Sequence, residues 1–171
     1  IISSLYSEID PHIEVRAVTG KTLQTSAREI QQLYKIEGVE AVTPIIEDNA
    51  LALFGDRQQP VVIKGVPSTY TSVSDIDKSL VDGISAFADT IPKAVIGVGV
   101  SNTLMVAPYF VSPIKIYSPK RKSKVNMLNP LASFNYADVY CTGVFSISQP
   151  EYDDQVIYVP ISVAKELFNY T

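Results

Sequence analysis

Residues 154–169 read Asp154-Gln-Val-Ile-Tyr-Val-Pro-Ile-Ser-Val-Ala-Lys-Glu-Leu-Phe-Asn169. Val156 to Val159 is an unbroken apolar run of strand length, and Pro160 ends it because proline has no N–H to give to a ladder. Ser162 then reads as the cap of a closing helix, Val163 to Asn169, that turns Leu167 and Phe168 inward. A buried strand passing directly into an amphipathic helix points to a domain that mixes strands and helices around one core.

Working back from that stretch, Glu151 to Asp154 reads as a turn and Val139 to Ile147 as a strand. Ser118 to Asp138 is rich in Pro, Asn and Lys and reads as a long loop. Val111 to Tyr117 is a strand. Ala94 to Gly97 is a short buried strand followed by a helical turn over Ser101 to Met105. Ser68 to Asp89 is polar and weakly periodic. Leu51 to Phe54 and Val61 to Val66 form a hairpin around the polar turn Gly55 to Pro60. Val39 to Ile46 is a further strand. Before it, Ser26 and Glu29 fit a capping box, with Ile30, Leu33 and Tyr34 on one helical face and Gly38 as the stop. His12 to Val18 alternates, with Ile13, Val15 and Ala17 on one face, as in a half-buried strand. The chain therefore opens strand–helix–strand. It has no internal repeat and no low-complexity segment.

The 171 residues suffice for one domain or two small lobes, and 46% apolar with 19% charged residues is an ordinary globular composition. A net charge of −4 argues against nonspecific nucleic-acid binding. The charge is uneven: residues 90–137 hold Lys93, Lys115, Lys120, Arg121, Lys122 and Lys124 and no acid. The one cysteine, Cys141, rules out an internal disulfide and reads as a buried, inert thiol. Ala94 to Val111 is the nearest approach to a membrane span, and Ser101, Asn102 and Pro108 break it. The opening at Ile1, with no methionine or leader, suggests a segment of a longer chain.

Little in the sequence supports catalysis. His12 is the single histidine, with no nucleophile motif, and reads as a surface residue. Gly97-Val-Gly99 follows a strand and precedes a helix, but the third glycine and the distant acid of a dinucleotide fingerprint are missing, so it reads as a tight turn. There is no phosphate loop. Glu151, Asp153 and Asp154 lack the spacing of a calcium loop and read as a solvated hairpin tip. The expectation is a nonenzymatic chain with no cofactor and no metal.

The loop at 118–138 is the candidate site. It combines Lys120, Arg121, Lys122 and Lys124 with Met127, Leu128, Leu131 and Phe134, large apolar groups that a loop normally omits. Either these pack back on the domain or they form an exposed patch that binds a partner. The basic residues could instead approach anionic lipid head groups.

Several segments together resemble the periplasmic domain of MacB-like and FtsX-like ABC-transporter permeases. The matching pieces are IEGVEAVTPIIED (36–48), VVIKGVPSTY (61–70), KAVIGVGVSNTLMV (93–106), and CTGVFSI (141–147) followed by DDQVIYVPISVAKELF (153–168). The wording PIKIYSPKRK…NMLNPLASFN looks most like lipoprotein-releasing permeases of Bacteroidetes. Where that family has Gly and then Gly-Asp after its short helix, this chain has Met105 and Ala107-Pro-Tyr-Phe110. The resemblance implies an α+β fold with two lobes, a mixed α/β (porter-like) lobe from 1–66 plus 140–171 and an inserted strand-rich lobe at 67–139. It also implies a noncatalytic periplasmic domain of an inner-membrane permease, coupling cytoplasmic ATP hydrolysis to lipoprotein release or substrate export; set between two membrane helices, such a domain would bring Ile1 and Thr171 close together. Its partners would be a cytoplasmic ATPase subunit, a second permease copy or paralogue, and a periplasmic lipoprotein carrier captured by a hairpin at the place of the 118–138 loop. Nucleic acid is not among them. An extracellular structural or adhesion module unrelated to transport is the alternative reading.

Overall fold

The fold is described from a computed structural model covering residue 9, 11–18, 20, 23, 25–87, 91–120 and 133–170. The expected closeness of Ile1 and Thr171 lies outside those residues. Seven strands and four α-helices are formed among the described residues: α1 Ala27–Leu33, β1 Ile46–Phe54, β2 Arg57–Val66, β3 Leu80–Gly83, β4 Lys93–Gly97, α2 Val98–Leu104, β5 Ile114–Pro119, β6 Phe134–Phe145, α3 Pro150–Asp153, β7 Val156–Pro160 and α4 Ile161–Phe168.

The strands form one sheet in the order β3-β6-β4-β7-β2-β1-β5, and β5 also pairs with β6. Six strands thereby close into a small barrel, with β3 appended to β6. Closure depends on the length of β6. Its first half, Phe134 to Val139, runs antiparallel to β5, while Tyr140 to Phe145 runs parallel to β4. The strands of the 67–139 stretch thus stand in the same sheet as those of the two ends.

Alternate residues of all six barrel strands point inward, as a closed sheet requires. Ala52, Val61, Ile63, Ala94, Ile96, Ile114, Ile116, Val139, Cys141, Ile157 and Val159 make this interior, joined by Val100 and Leu104 of α2 and Ala164, Leu167 and Phe168 of α4. A second core lies on the outside of β4 and β7. There Val95, Phe145, Val156 and Tyr158 are covered by Ile9, Tyr70, Ile76 and Phe87. Tyr158 is its centre, 5.5 Å from Phe145 edge-on, 5.7 Å from Tyr70 and 6.5 Å from Phe87 between ring centroids. Residues 68–87, polar in sequence, supply this cover through two short 3₁₀ turns and β3.

The β1/β2 hairpin is longer than its apolar residues suggest and turns over Gly55-Asp56, with Gly55 at φ +61. Pro60 stands inside β2 without breaking it. Val62 N–H donates to Gln155 O at 2.8 Å, toward β7, so the missing N–H of Pro60, two residues earlier, faces the same edge below the start of β7.

Several expectations are corrected. Residues 12–18 form no strand: they lie exposed and in no ladder. Residues 39–45 are not strand either, since Pro44 has no N–H and pairing starts at Ile46. Helix α1 has the expected capping box but stops at Leu33, four residues before the Glu37-Gly38 turn, where Gly38 has φ +89. Strand β5 starts at Ile114, beyond Pro113, rather than at Val111. Ser162 lies in the first turn of α4, whose N-cap is Pro160. Residues 134–138, expected in the loop, are strand.

Candidate functional site

The expected loop is a β-hairpin. Strand β5 continues to Pro119 and β6 starts at Phe134 opposite it, and Lys120 N–H donates to Ser133 O at 2.8 Å. Lys120, opposite Ser133, and Phe134, opposite Pro119, therefore both stand at the base, and both are exposed. Arg121, Lys122, Lys124, Met127, Leu128 and Leu131 lie outside the described residues.

The base carries a feature that the sequence reading missed. Along β6, Phe134, Tyr136, Asp138 and Tyr140 all face outward while Val139 and Cys141 face the barrel. Tyr136, 66% exposed, lies against Tyr117 of β5 with ring centroids 6.1 Å apart. The signal for this aromatic stripe was the period-two alternation from Phe134 to Cys141, obscured by the Pro- and Asn-rich residues before it. Beside the stripe, Pro92, Tyr136, Ala137, Asp138, Val163 and Glu166 line an open groove of about 390 Å³. The lining offers two carboxylates and a phenol, with no histidine, cysteine, serine or lysine to act as nucleophile or base partner.

A second apolar surface lies in the loop after α2. Met105, Tyr109, Phe110 and Val111 are exposed, and Phe110 stacks on Phe54 at 5.9 Å. Met105 (φ 55) and Tyr109 (φ 75) occupy the left-handed region that glycine normally fills. Met105 is the C-cap of α2 and its N–H donates to Ser101 O. This is the place where the resembled family has glycine, so the chain keeps the left-handed cap at the cost of strain.

The remaining candidates resolve into structure. Gly97 and Gly99 are packing glycines: a Cβ on Gly97 would sit 2.2 Å from Asp153 O, and one on Gly99 2.0 Å from Asp154 Oδ1. The glycines exist so that α3 and the turn after it can press on the start of α2. Asp153 is not part of a solvated tip. It is buried and accepts from Ser146 Oγ at 2.9 Å, Ile147 N at 2.9 Å and Ser148 N at 3.0 Å, fastening the β6–α3 connection. Glu151 and Asp154 remain on the surface, and among the described residues no group of three His, Cys, Asp or Glu is placed to hold a metal. Cys141 is buried in β6, and burial pushes its thiol up to about 12, leaving it protonated and unreactive at neutral pH. His12 is exposed. No helix among the described residues is long and apolar enough to cross a membrane.

No protein-family model matches the chain, and no curated protein matches it. Among solved structures it is similar to the extracellular domain of the noncanonic ABC-type transporter YknZ from Gram-positive bacteria, with 16% identity and a TM-score of 0.54. The match covers 82% of this chain and 65% of that one, just under two thirds of its length. The closed mixed α/β sheet with its four helices is thus a fold shared with the extracellular domain of that transporter.

Proposed function

We propose that this chain is a noncatalytic extracytoplasmic domain of an ABC-transporter permease of the lipoprotein-releasing kind. The observation that carries the reading is the shared fold over 82% of the chain with an extracellular domain of an ABC-type transporter. In this reading a cytoplasmic ATPase subunit hydrolyses ATP, and this domain passes the resulting motion of the membrane helices to a second permease copy and to cargo outside. The absence of a phosphate loop from the sequence agrees with a chain that leaves nucleotide chemistry to another subunit.

The β5–β6 hairpin would be the contact for a periplasmic carrier. Its base presents Phe134, Tyr136 and Lys120, and its sequence adds three more basic and three more large apolar side chains. Apolar anchors in such an interface carry most of the affinity, while the charges steer encounter with an acidic surface. The test is interferometry with the cognate carrier, comparing the parent with Leu128→Ala, Phe134→Ala and a Lys120/Arg121/Lys122→Ala triple variant. At least about a tenfold loss of affinity is expected from one of the apolar variants. Unchanged binding by all three folded variants would mean that the hairpin is not the contact. Loss in the charge variant alone, matched by loss of binding to anionic vesicles, would assign it to the membrane surface.

A further inference from the structure

Strand β1 has one edge that is half used. Its inner edge pairs with β2 along all nine residues, but β5 covers only Leu51 to Leu53 of the outer edge. Continuing that antiparallel register puts Pro119 opposite Asn49, and proline has no N–H to extend the ladder. The N–H and C=O groups of Glu47 and Asn49 therefore face outward: Val62, which pairs with Asn49, directs its own N–H to β7, so the Asn49–Val62 pair is not hydrogen-bonded. No strand takes this edge among the described residues. A side chain partly blocks it, since Asn49 N–H donates to Asp48 Oδ1 at 2.9 Å.

The segment 12–18 has the pattern of a strand and no ladder, and its Arg16 side chain reaches Glu47 of this strand. Ile13, Val15 and Val18 are 80%, 65% and 101% exposed. Arg16 bonds Glu14 at 2.6 Å and reaches Glu47 at 3.8 Å, and these carboxylates raise its pKa above the ordinary arginine value. The faces agree. Glu47 points away from the barrel and Ile46 and Ala50 pack toward the core, so Arg16 beside Glu47 would put Ile13, Val15 and Ala17 on the core side. The connection 19–45 contains α1, and a helical connection of that length suits a parallel, right-handed crossover.

We propose that residues 12–18 are a strap that docks as a parallel strand on the outer edge of β1, with Arg16 beside Glu47 and Val18 beside Asn49, and that this structure shows it undocked. Docking displaces Asp48 from the Asn49 amide and extends the sheet next to the base of the β5–β6 hairpin. The proposal does not rest on the transport reading.

Hydrogen exchange on the whole chain tests it. The amides of Ile13, Val15 and Ala17 are expected to be protected at least about tenfold over unstructured rates. Asp48→Ala, which clears the edge, raises that protection, and Arg16→Glu, which sets an acid beside Glu47, lowers it without moving the melting midpoint. A Val18→Cys/Asn49→Cys pair closes a disulfide under mild oxidation, and buried Cys141 stays out of the reaction. Unprotected amides in the parent and in Asp48→Ala, or failure of the 18/49 pair to close while an Arg16→Cys/Glu47→Cys control closes, would overturn the docking.

Discussion

Residues 67–87 and the described residues of 11–45 both lie outside the barrel, yet the first bury Tyr70, Ile76 and Phe87 while the second leave Ile13, Val15, Val18, Tyr34 and Ile36 to solvent. Apolar content does not separate them; the receiving surface does. Residues 67–87 lie on the outer face of β4 and β7, where Val95, Val156 and Tyr158 need cover. Residues 11–18 meet the outer face of β1 and β2, where Lys64 pairs with Glu47 at 3.3 Å and lies over the ring of Tyr152 at 4.8 Å. A polar face gives an apolar strap nothing to bury, which is why the half-used edge of β1 is the partner proposed for it.

The comparison is broken most directly at Ile76, which is fully buried in the outer core. Ile76→Ala should cost about 2–5 kcal/mol in denaturant unfolding, the usual range for emptying such a site. Ile36→Ala in the exposed stretch should change stability by no more than about 0.5 kcal/mol. Equal effects from the two would show that residues 34–45 are held as firmly as 67–87.

Asp153 is the next largest effect, because three donors converge on one buried carboxylate. Asp153→Ala leaves the N–H groups of Ile147 and Ser148 and the Ser146 hydroxyl unpaired, at a cost of about 2–3 kcal/mol. A thermal shift below about 2 °C for this variant would mean that water replaces the carboxylate readily.

Met105→Gly should act in the opposite direction. Removing a Cβ from a left-handed cap relieves about 1 kcal/mol, and the exposed methionine has little packing to lose. A destabilised Met105→Gly protein would show that the Met105 side chain is held by contacts worth more than the strain.

How much of this was legible in the sequence depended on whether the governing contact was local. The apolar runs 93–97 and 156–160 declare themselves as buried strands by composition alone, and the Ser26–Glu29 box needs four residues to be recognised. The alternation at 12–18 is as regular, but a strand also needs a free edge with matching geometry, which no local window contains. Gly97 and Gly99 resembled half of a phosphate-binding turn, whereas their cause is Asp153 and Asp154, more than fifty residues on. At the candidate site, Lys120 and Phe134 were named from chemistry alone, while the Tyr117–Tyr136 contact waited on the β5–β6 register.

The smallest effect sharpens the comparison at α1, a helix of seven residues held mainly by its own cap. Ser26 N–H donates to Glu29 Oε2 at 2.7 Å and Glu29 N–H donates to Ser26 Oγ at 3.3 Å. Donors to its carboxylate hold Glu29 below its ordinary value of 4.5, the Ser26 backbone N–H first and the Ser26 hydroxyl, which donates to Glu29 Oε2 at 2.9 Å, second. A lowered folded pKa means that the cap contributes in full above pH 4.5 and fades as pH falls through the lowered value. Because Glu29 is fully exposed, the loss should be local. In an NMR titration, the Ser26 amide is expected to shift at a pH below 4.5 while the amides of Ile76 and Tyr158 stay still. Glu29→Gln keeps an acceptor at the same position and should abolish the Ser26 titration without changing the global melting midpoint. A Ser26 amide that titrates unchanged in Glu29→Gln would place the charge it senses elsewhere, and with it the account of what holds this helix together outside the barrel.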